Sequence, residues 1–320
     1  MSAAALEKLF LDKKVRDKKA TGVIMETDDK SLKLTKNLQN ITDLTKGELK
    51  ENKREGKVHP VSNTTTAAAS EKLSIEGPSL KYLEKKRLNL DQRVRDKKAT
   101  GVIMETDAQS LKLTKYLQKI TRILLTTKYG DYEQYRVKVD LEFQSSIPDF
   151  DTNGPNGTLV IEMAPISILP VSVYNWLEIA RTWNSGAFHR NADHVLQATT
   201  DATDVTQPLS FQEYSEEYPH TKGTVGYCGR PSGPCWYINI IDNTENHGRG
   251  SQQDENPQEA DANFGRIVEG LDDVVPRIHS IPQKDWLDEK NQVLIKTMTI
   301  LVPKSGGGGG DFVEWKPSLQ

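Results

Sequence analysis

The chain has few cysteines and no long apolar run, and both shortages exclude whole classes of protein. Only Cys228 and Cys235 occur among 320 residues, too few for a disulfide framework, and no Cys-x-x-Cys pair indicates zinc. We therefore expect both to be ordinary packing residues. No stretch approaches the roughly 18 apolar residues of a membrane-spanning helix, and the N-terminus lacks the apolar core of a signal peptide. The sequence thus predicts no membrane span and, by default, a cytoplasmic location.

Motifs for metal and nucleotide chemistry are also missing. The histidines form neither a His-x-x-x-His nor a His-Glu-x-x-His pattern. There is no phosphate-binding Gly-x-x-x-x-Gly-Lys-[Ser/Thr] loop and no Gly-x-Ser-x-Gly nucleophile elbow. The five glycines at 306–310 lack the strand and helix of a phosphate loop, so they predict a linker. We expect neither a metal nor a cofactor.

Charge is divided unevenly along the chain. Residues 1–130 carry 28 Lys and Arg against 17 Asp and Glu, whereas residues 131–320 carry 14 against 28. This asymmetry, hidden in a net charge of −3, predicts two separate modules. The basic half lacks the aromatic interleaving of a base-stacking surface, so we interpret it as a solvated helical surface and expect no nucleic-acid partner.

An internal repeat occupies the basic half. Residues 15–42 recur at 94–121 with four differences, and two copies are too few for a solenoid. Duplication and a gene-assembly error both explain such identity. Gly101 interrupts the helical pattern, which leaves one helix or two. An apolar stripe in the second copy could form a coiled coil that mediates self-association, or pack on the downstream domain; it consists of Leu113, Leu117, Ile120 and Leu124.

The pattern changes to short strands after residue 130. Alternating residues at 136–143 and an apolar run at 157–165 predict a hairpin with a long loop. A late alternating strand at 293–302 could pair with the first. Between them we predict helices at 171–183 and 271–278 and short strands near 186–198, 223–228, 234–241 and 263–267. This order is typical of a mainly β protein with a closed antiparallel barrel capped by two helices.

The predicted organisation has five parts. They are a helical repeat copy at 1–44, a disordered linker at 45–80, a helical segment at 81–129, the barrel at 130–303 and a flexible glycine-rich tail at 304–320.

Seven segments of the predicted barrel, taken in order, resemble the cyclophilin family of peptidyl-prolyl cis-trans isomerases. They are GTLVIEMAP at 157–165, ILPVSVYNW at 168–176, AFHR at 187–190, HVLQ at 194–197, HTKGTVG at 220–226, GPCWYI at 233–238 and FGRIVEGL at 264–271. The resemblance implies a cyclophilin-like barrel that binds proline-containing peptides and isomerises X-Pro bonds.

The resemblance also implies roles for particular residues. Arg190 matches the family's arginine, which donates to the proline nitrogen when the amide twists. Gln197 matches the glutamine that binds substrate backbone, and Tyr237 stands where a phenylalanine floors the proline pocket. Val195 and Leu196 stand where larger apolar residues line that pocket.

Some of the family's pattern is absent. Residues 243–263 do not match the segment that supplies a tryptophan or histidine wall, and Asp261 stands near the lost histidine. Three hypotheses therefore stay open: an isomerase centred on Arg190, a catalytically weak peptide-binding module, and an adaptor whose helices assemble while the barrel carries cargo.

Overall fold

A computed structural model describes residues 78–99, 108–200, 207–230, 232–251, 260–304 and 311–317. The first repeat copy, almost all of the predicted linker, and Gly101 lie outside these ranges. The helices are α1 Leu80–Ala99, α2 Ala108–Tyr129, α3 Phe150–Asn153, α4 Pro170–Arg181, α5 Thr244–His247 and α6 Val274–His279, with a 3-10 turn at Glu289–Asn291. The strands are β1 Arg136–Glu142, β2 Asn156–Met163, β3 Ala187–Asn191, β4 Val195–Ala198, β5 Thr224–Tyr227, β6 Trp236–Asn239, β7 Asn263–Glu269, β8 Asp285–Trp286, β9 Val293–Pro303 and β10 Phe312–Glu314.

Eight strands close into an antiparallel barrel. Their order is β9-β1-β2-β7-β5-β6-β4-β3, and β9 closes the ring by pairing with β3 as well as β1. The first and last long strands pair as predicted, with Val137 opposite Ile300. β1 alternates buried and half-buried residues along its length, so one face points into the core. The predicted mainly β, closed-barrel fold is confirmed.

The barrel core is organised around an aromatic cluster under α4. Pro170 begins this helix, where a missing N–H costs nothing. Trp176 from α4 is fully buried and lies 4.6 Å from Phe264 and 5.0 Å from Trp236, measured between ring centroids. Because these rings come from a helix and two strands, their packing fixes α4 against the sheet that carries the site.

The two long helices pack on the barrel domain. All four residues of the apolar stripe are buried, and α2 contacts both α1 and α4. At its end, Lys128 forms a 2.7 Å ion pair with Glu178 of α4. Residues Leu80–Gln320 form one compact unit, so α1 and α2, which lie in the helical segment predicted at 81–129, pack with the barrel. The stripe packs within the chain, which was one of the two open alternatives.

The segment after the glycines also differs from the flexible tail expected at 304–320. Phe312–Glu314 pairs with β9 as β10. The Trp315 backbone N–H donates to the Ile300 carbonyl at 2.8 Å, and the Trp315 ring lies 4.9 Å from that of Tyr129. A β-forming sequence beside an open strand edge gains hydrogen bonds by pairing, which composition alone did not indicate.

Among the described helices, none is long and apolar enough to cross a membrane.

Candidate functional site

Arg190 and Gln197 lie side by side on the outer surface of the barrel. They are register partners on β3 and β4, and Arg190 Nη1 donates to Gln197 Oε1 at 3.2 Å. An ion pair also joins Arg190 Nη2 to Asp285 Oδ1 at 3.6 Å. The Arg190 Nε is buried and has no hydrogen-bond partner among the residues that the structure describes. A buried donor without a partner is unusual in proteins, and a ligand can reach this Nε only if a neighbouring group moves.

Gln197 uses both ends of its amide. Its Oε1 accepts from Arg190, and its Nε2 lies 3.0 Å from the Cys235 sulfur. The side chain is thereby held between β3 and the start of β6. A substrate backbone that binds Gln197 has to replace or share one of these contacts.

Val195 and Leu196 do not line one pocket. Val195 belongs to a small buried cluster with Ala192 and Tyr237, whereas Leu196 is fully buried in the main core. Successive side chains of a strand point to opposite faces, so only one of these neighbours can face the site. The prediction that Leu196 lines the pocket is therefore wrong. Period-two alternation counted back from Gln197 would have excluded Leu196.

Tyr237 is enclosed rather than open. It is 3% exposed on β6 and is the register partner of both Gln197 and Gly226. A Cβ atom at Gly226 would lie 2.7 Å from the Tyr237 hydroxyl oxygen, so glycine is required opposite this ring. The hydroxyl lies 3.3 Å from His220 Nδ1 and 3.4 Å from Asp261 Oδ2. The aromatic floor thus carries a polar tip that reaches into a buried cluster.

Asp261 is the centre of this cluster. Its Oδ1 accepts from Arg230 Nε at 2.8 Å, and its Oδ2 accepts from His247 Nδ1 at 2.6 Å. Burial opposes its charge, but the hydrogen bonds from His247 and Arg230 hold the pKa of Asp261 below its usual value. His220 lies against the Asp261 backbone carbonyl at 3.0 Å. Burial lowers the pKa of His220 to about 4, so its imidazole is neutral at pH 7.

His247 stands against Tyr237, where the sequence interpretation expected no aromatic wall. Its ring centroid is 4.7 Å from that of Tyr237 at an interplanar angle of 29°, and the ring also stacks on His194 at 5.7 Å. That expectation is corrected: α5, inside the unmatched segment, supplies the ring. Because His247 covers Tyr237, a proline ring can reach this floor only if the imidazole moves.

Cys228 and Cys235 form a disulfide, which corrects the expectation of two separate packing residues. Cys228 follows β5 and Cys235 precedes β6, and these strands pair antiparallel. The strand pairing brings the two cysteines opposite each other, with their Cα atoms 5.2 Å apart, inside the range for a disulfide.

Within the described ranges, no group of three or more His, Cys, Asp or Glu side chains could hold a metal ion.

The site residues occupy a closed, eight-stranded antiparallel barrel. No family model matches the sequence, and no curated protein matches it. Among solved structures, the chain is similar to a cyclophilin-type peptidyl-prolyl cis-trans isomerase from Cryptosporidium parvum, at 14% identity and a TM-score of 0.36. The match covers 52% of this chain and 99% of that chain. Proteins this distant can differ in activity, so function has to follow from the residues of the site.

Proposed function

We propose that the barrel is a peptidyl-prolyl cis-trans isomerase of the cyclophilin type, acting on X-Pro bonds of peptide or protein segments. The observation that carries the proposal is the Arg190–Gln197 pair, which the register of β3 and β4 places side by side. Both residues that the resemblance assigns to work at the peptide bond are present and adjacent.

The chemistry requires neither a nucleophile nor a metal. Resonance gives the amide a rotation barrier of about 18–20 kcal/mol, and the uncatalysed X-Pro flip takes tens of seconds or longer. A catalyst has to bind the twisted amide better than either planar isomer. Only the twisted form has a nitrogen lone pair that accepts a hydrogen bond. A guanidinium is always charged and carries donors in a fixed geometry, so Arg190 suits this contact while Gln197 holds the neighbouring backbone.

The test is cis/trans exchange of X-Pro peptides measured by NMR with the full chain. We expect the wild type to accelerate exchange and Arg190→Ala to remove the acceleration. Arg266→Ala is the matched control, because this arginine pairs with Glu162 on β2 and does not contact the site. Equal rates for Arg190→Ala and wild type would contradict the assignment of Arg190.

A second candidate is a peptide-binding module with little turnover. The observation that favours it is the covered floor, since Tyr237 is 3% exposed and His247 stacks on it. In this case the same NMR samples show peptide signals that shift on binding but exchange that is no faster. No observation favours the adaptor hypothesis, because the apolar stripe that suggested helix-mediated self-association is buried within the chain.

A further inference from the structure

A large exposed aromatic side chain stands beside Arg190. Trp286 is 64% exposed although it belongs to a strand. It is the register partner of Arg190 across β3 and β8. Its ring stacks on His189 with centroids 5.4 Å apart, and the Arg190 guanidinium lies 5.7 Å from the ring centroid. Most of the ring nevertheless faces solvent at the edge of the candidate site.

The backbone holds this tryptophan in place. Asp285 adopts a positive φ of 57° and is the single non-glycine residue with a positive φ in the described part of the chain. Residues other than glycine rarely take this backbone conformation. Gln283 supports the corner: its Nε2 donates to the Trp286 carbonyl at 2.9 Å, and its Oε1 accepts from the Asp288 N–H at 3.0 Å. The Leu287 N–H donates to the His189 carbonyl at 2.8 Å. A side chain on so fixed a backbone loses little freedom when a ligand contacts it.

A segment bound at Arg190 has to pass close to this ring. A chain advances by about 3.3–3.6 Å per residue when extended, and the ring centroid is 5.7 Å from the Arg190 guanidinium carbon. One or two residues from the X-Pro bond are therefore within reach of Trp286.

Negative charge beside Trp286 favours a basic residue in the bound segment at this position. The Asp285 side chain is 67% exposed and holds Arg190 only at 3.6 Å. Asp193 lies in the short connection between β3 and β4, which carry Arg190 and Gln197. The nearby cations are Arg190 and Lys284, and the ammonium of Lys284 donates to the His279 carbonyl at 2.6 Å. Residues 131–320 as a whole carry 14 basic and 28 acidic side chains, which attracts cationic segments at long range.

We infer that Trp286, with Asp285 beside it, selects substrates that carry a lysine or arginine within two residues of the proline. The indole ring supplies a cation–π contact, for which tryptophan is the best aromatic side chain. The Asp285 carboxylate adds a charge-assisted hydrogen bond. The inference rests on the proposed function where the exchange rate is measured. Peptide affinity tests it without that assumption.

The experiment uses the full chain and peptides that differ at one position. Lysine, leucine, phenylalanine or glutamate is placed before the X-Pro bond in one series and after the proline in another. NMR gives the exchange rate and the affinity for each peptide with the wild type, Trp286→Ala, Trp286→Phe and Asp285→Asn. Leu88→Ala is the matched control, because Leu88 is a similarly exposed apolar residue, 63% exposed on α1.

We expect the wild type to prefer lysine over glutamate by about fivefold or more in one series. Trp286→Ala should remove most of this preference, Trp286→Phe should keep part of it, and Leu88→Ala should leave it unchanged. A preference that survives Trp286→Ala, or a preference for phenylalanine that depends on Trp286, overturns the inference while the isomerase stands. If no peptide exchanges faster, the isomerase proposal fails, and the lysine-to-glutamate ratio of affinities decides the inference separately. Absence of binding to every peptide overturns both.

Discussion

Asp261 organises a buried polar cluster beside Tyr237. Its partners and neighbours are Arg230, His247, His220 and Tyr237. A buried carboxylate requires partners, and Arg230 and His247 provide them. The geometry that brings His247 to Asp261 is also the geometry that covers Tyr237.

The buried His220 predicts acid sensitivity. Its pKa is lowered to about 4 in the folded chain by burial, whereas an unfolded histidine titrates near about 6.5. As pH falls from the higher value to the lower, the unfolded chain takes up a proton that the folded chain does not, so stability is lost across this window. The loss should be on the order of 3 kcal/mol by pH 4.

The measurement is urea unfolding between pH 7 and pH 4.5 for the wild type and His220→Gln. Glutamine can still donate to the Asp261 carbonyl but does not take up a proton. The variant should lose less stability as pH falls, and His194→Gln, at a less buried histidine, should change the pH dependence less. An unchanged pH dependence in His220→Gln would count against the neutral, buried imidazole.

At the scale of elements, β3, β4 and β6 position the site through strand alternation. Arg190, Gln197 and Tyr237 are joined by two successive register pairs, from β3 to β4 and from β4 to β6. The disulfide ties Cys228 to Cys235, whose sulfur contacts Gln197. The hairpin between β5 and β6 therefore holds the glutamine from one side while Arg190 holds it from the other.

The helices α1 and α2 are expected to stabilise the barrel. Leu117, Leu124 and Leu125 of α2 have no exposed surface, and a buried leucine contributes about 1.5–3 kcal/mol. Removal of α1 and α2 also deprives the buried Glu178 carboxylate of its ion pair with Lys128. We therefore expect a fragment of residues 130–320 to unfold at a lower urea concentration than residues 78–320, or to aggregate. Its free energy of unfolding should be lower by at least about 3 kcal/mol. Equal unfolding midpoints for the two fragments would show that the helices are accessory.

At the scale of the whole molecule, periodicity predicted more than composition did. Alternation at 136–143 and 293–302 predicted the pair that closes the barrel, and β1 and β9 do pair. Composition failed at 304–320, where β10 pairs with β9, because linker-like residues say nothing about which strand edge is available for pairing. Ordered short motifs located Arg190 and Gln197 on adjacent strands. They could not show that His247 would reach Tyr237, because the His247 ring is held by Asp261, in a segment that matches no family motif.

We propose that the guanidinium of Arg190, and not merely its charge, acts on the X-Pro bond. Arg190→Lys in the full chain tests it, because lysine keeps the charge but loses the fixed fork of donors. We predict that exchange measured by NMR slows by about tenfold or more, the size of a lost hydrogen bond to a charged group, while peptide signals still shift on binding. Exchange by Arg190→Lys at the wild-type rate would contradict the account, as would a wild-type chain that binds the peptides without accelerating their exchange.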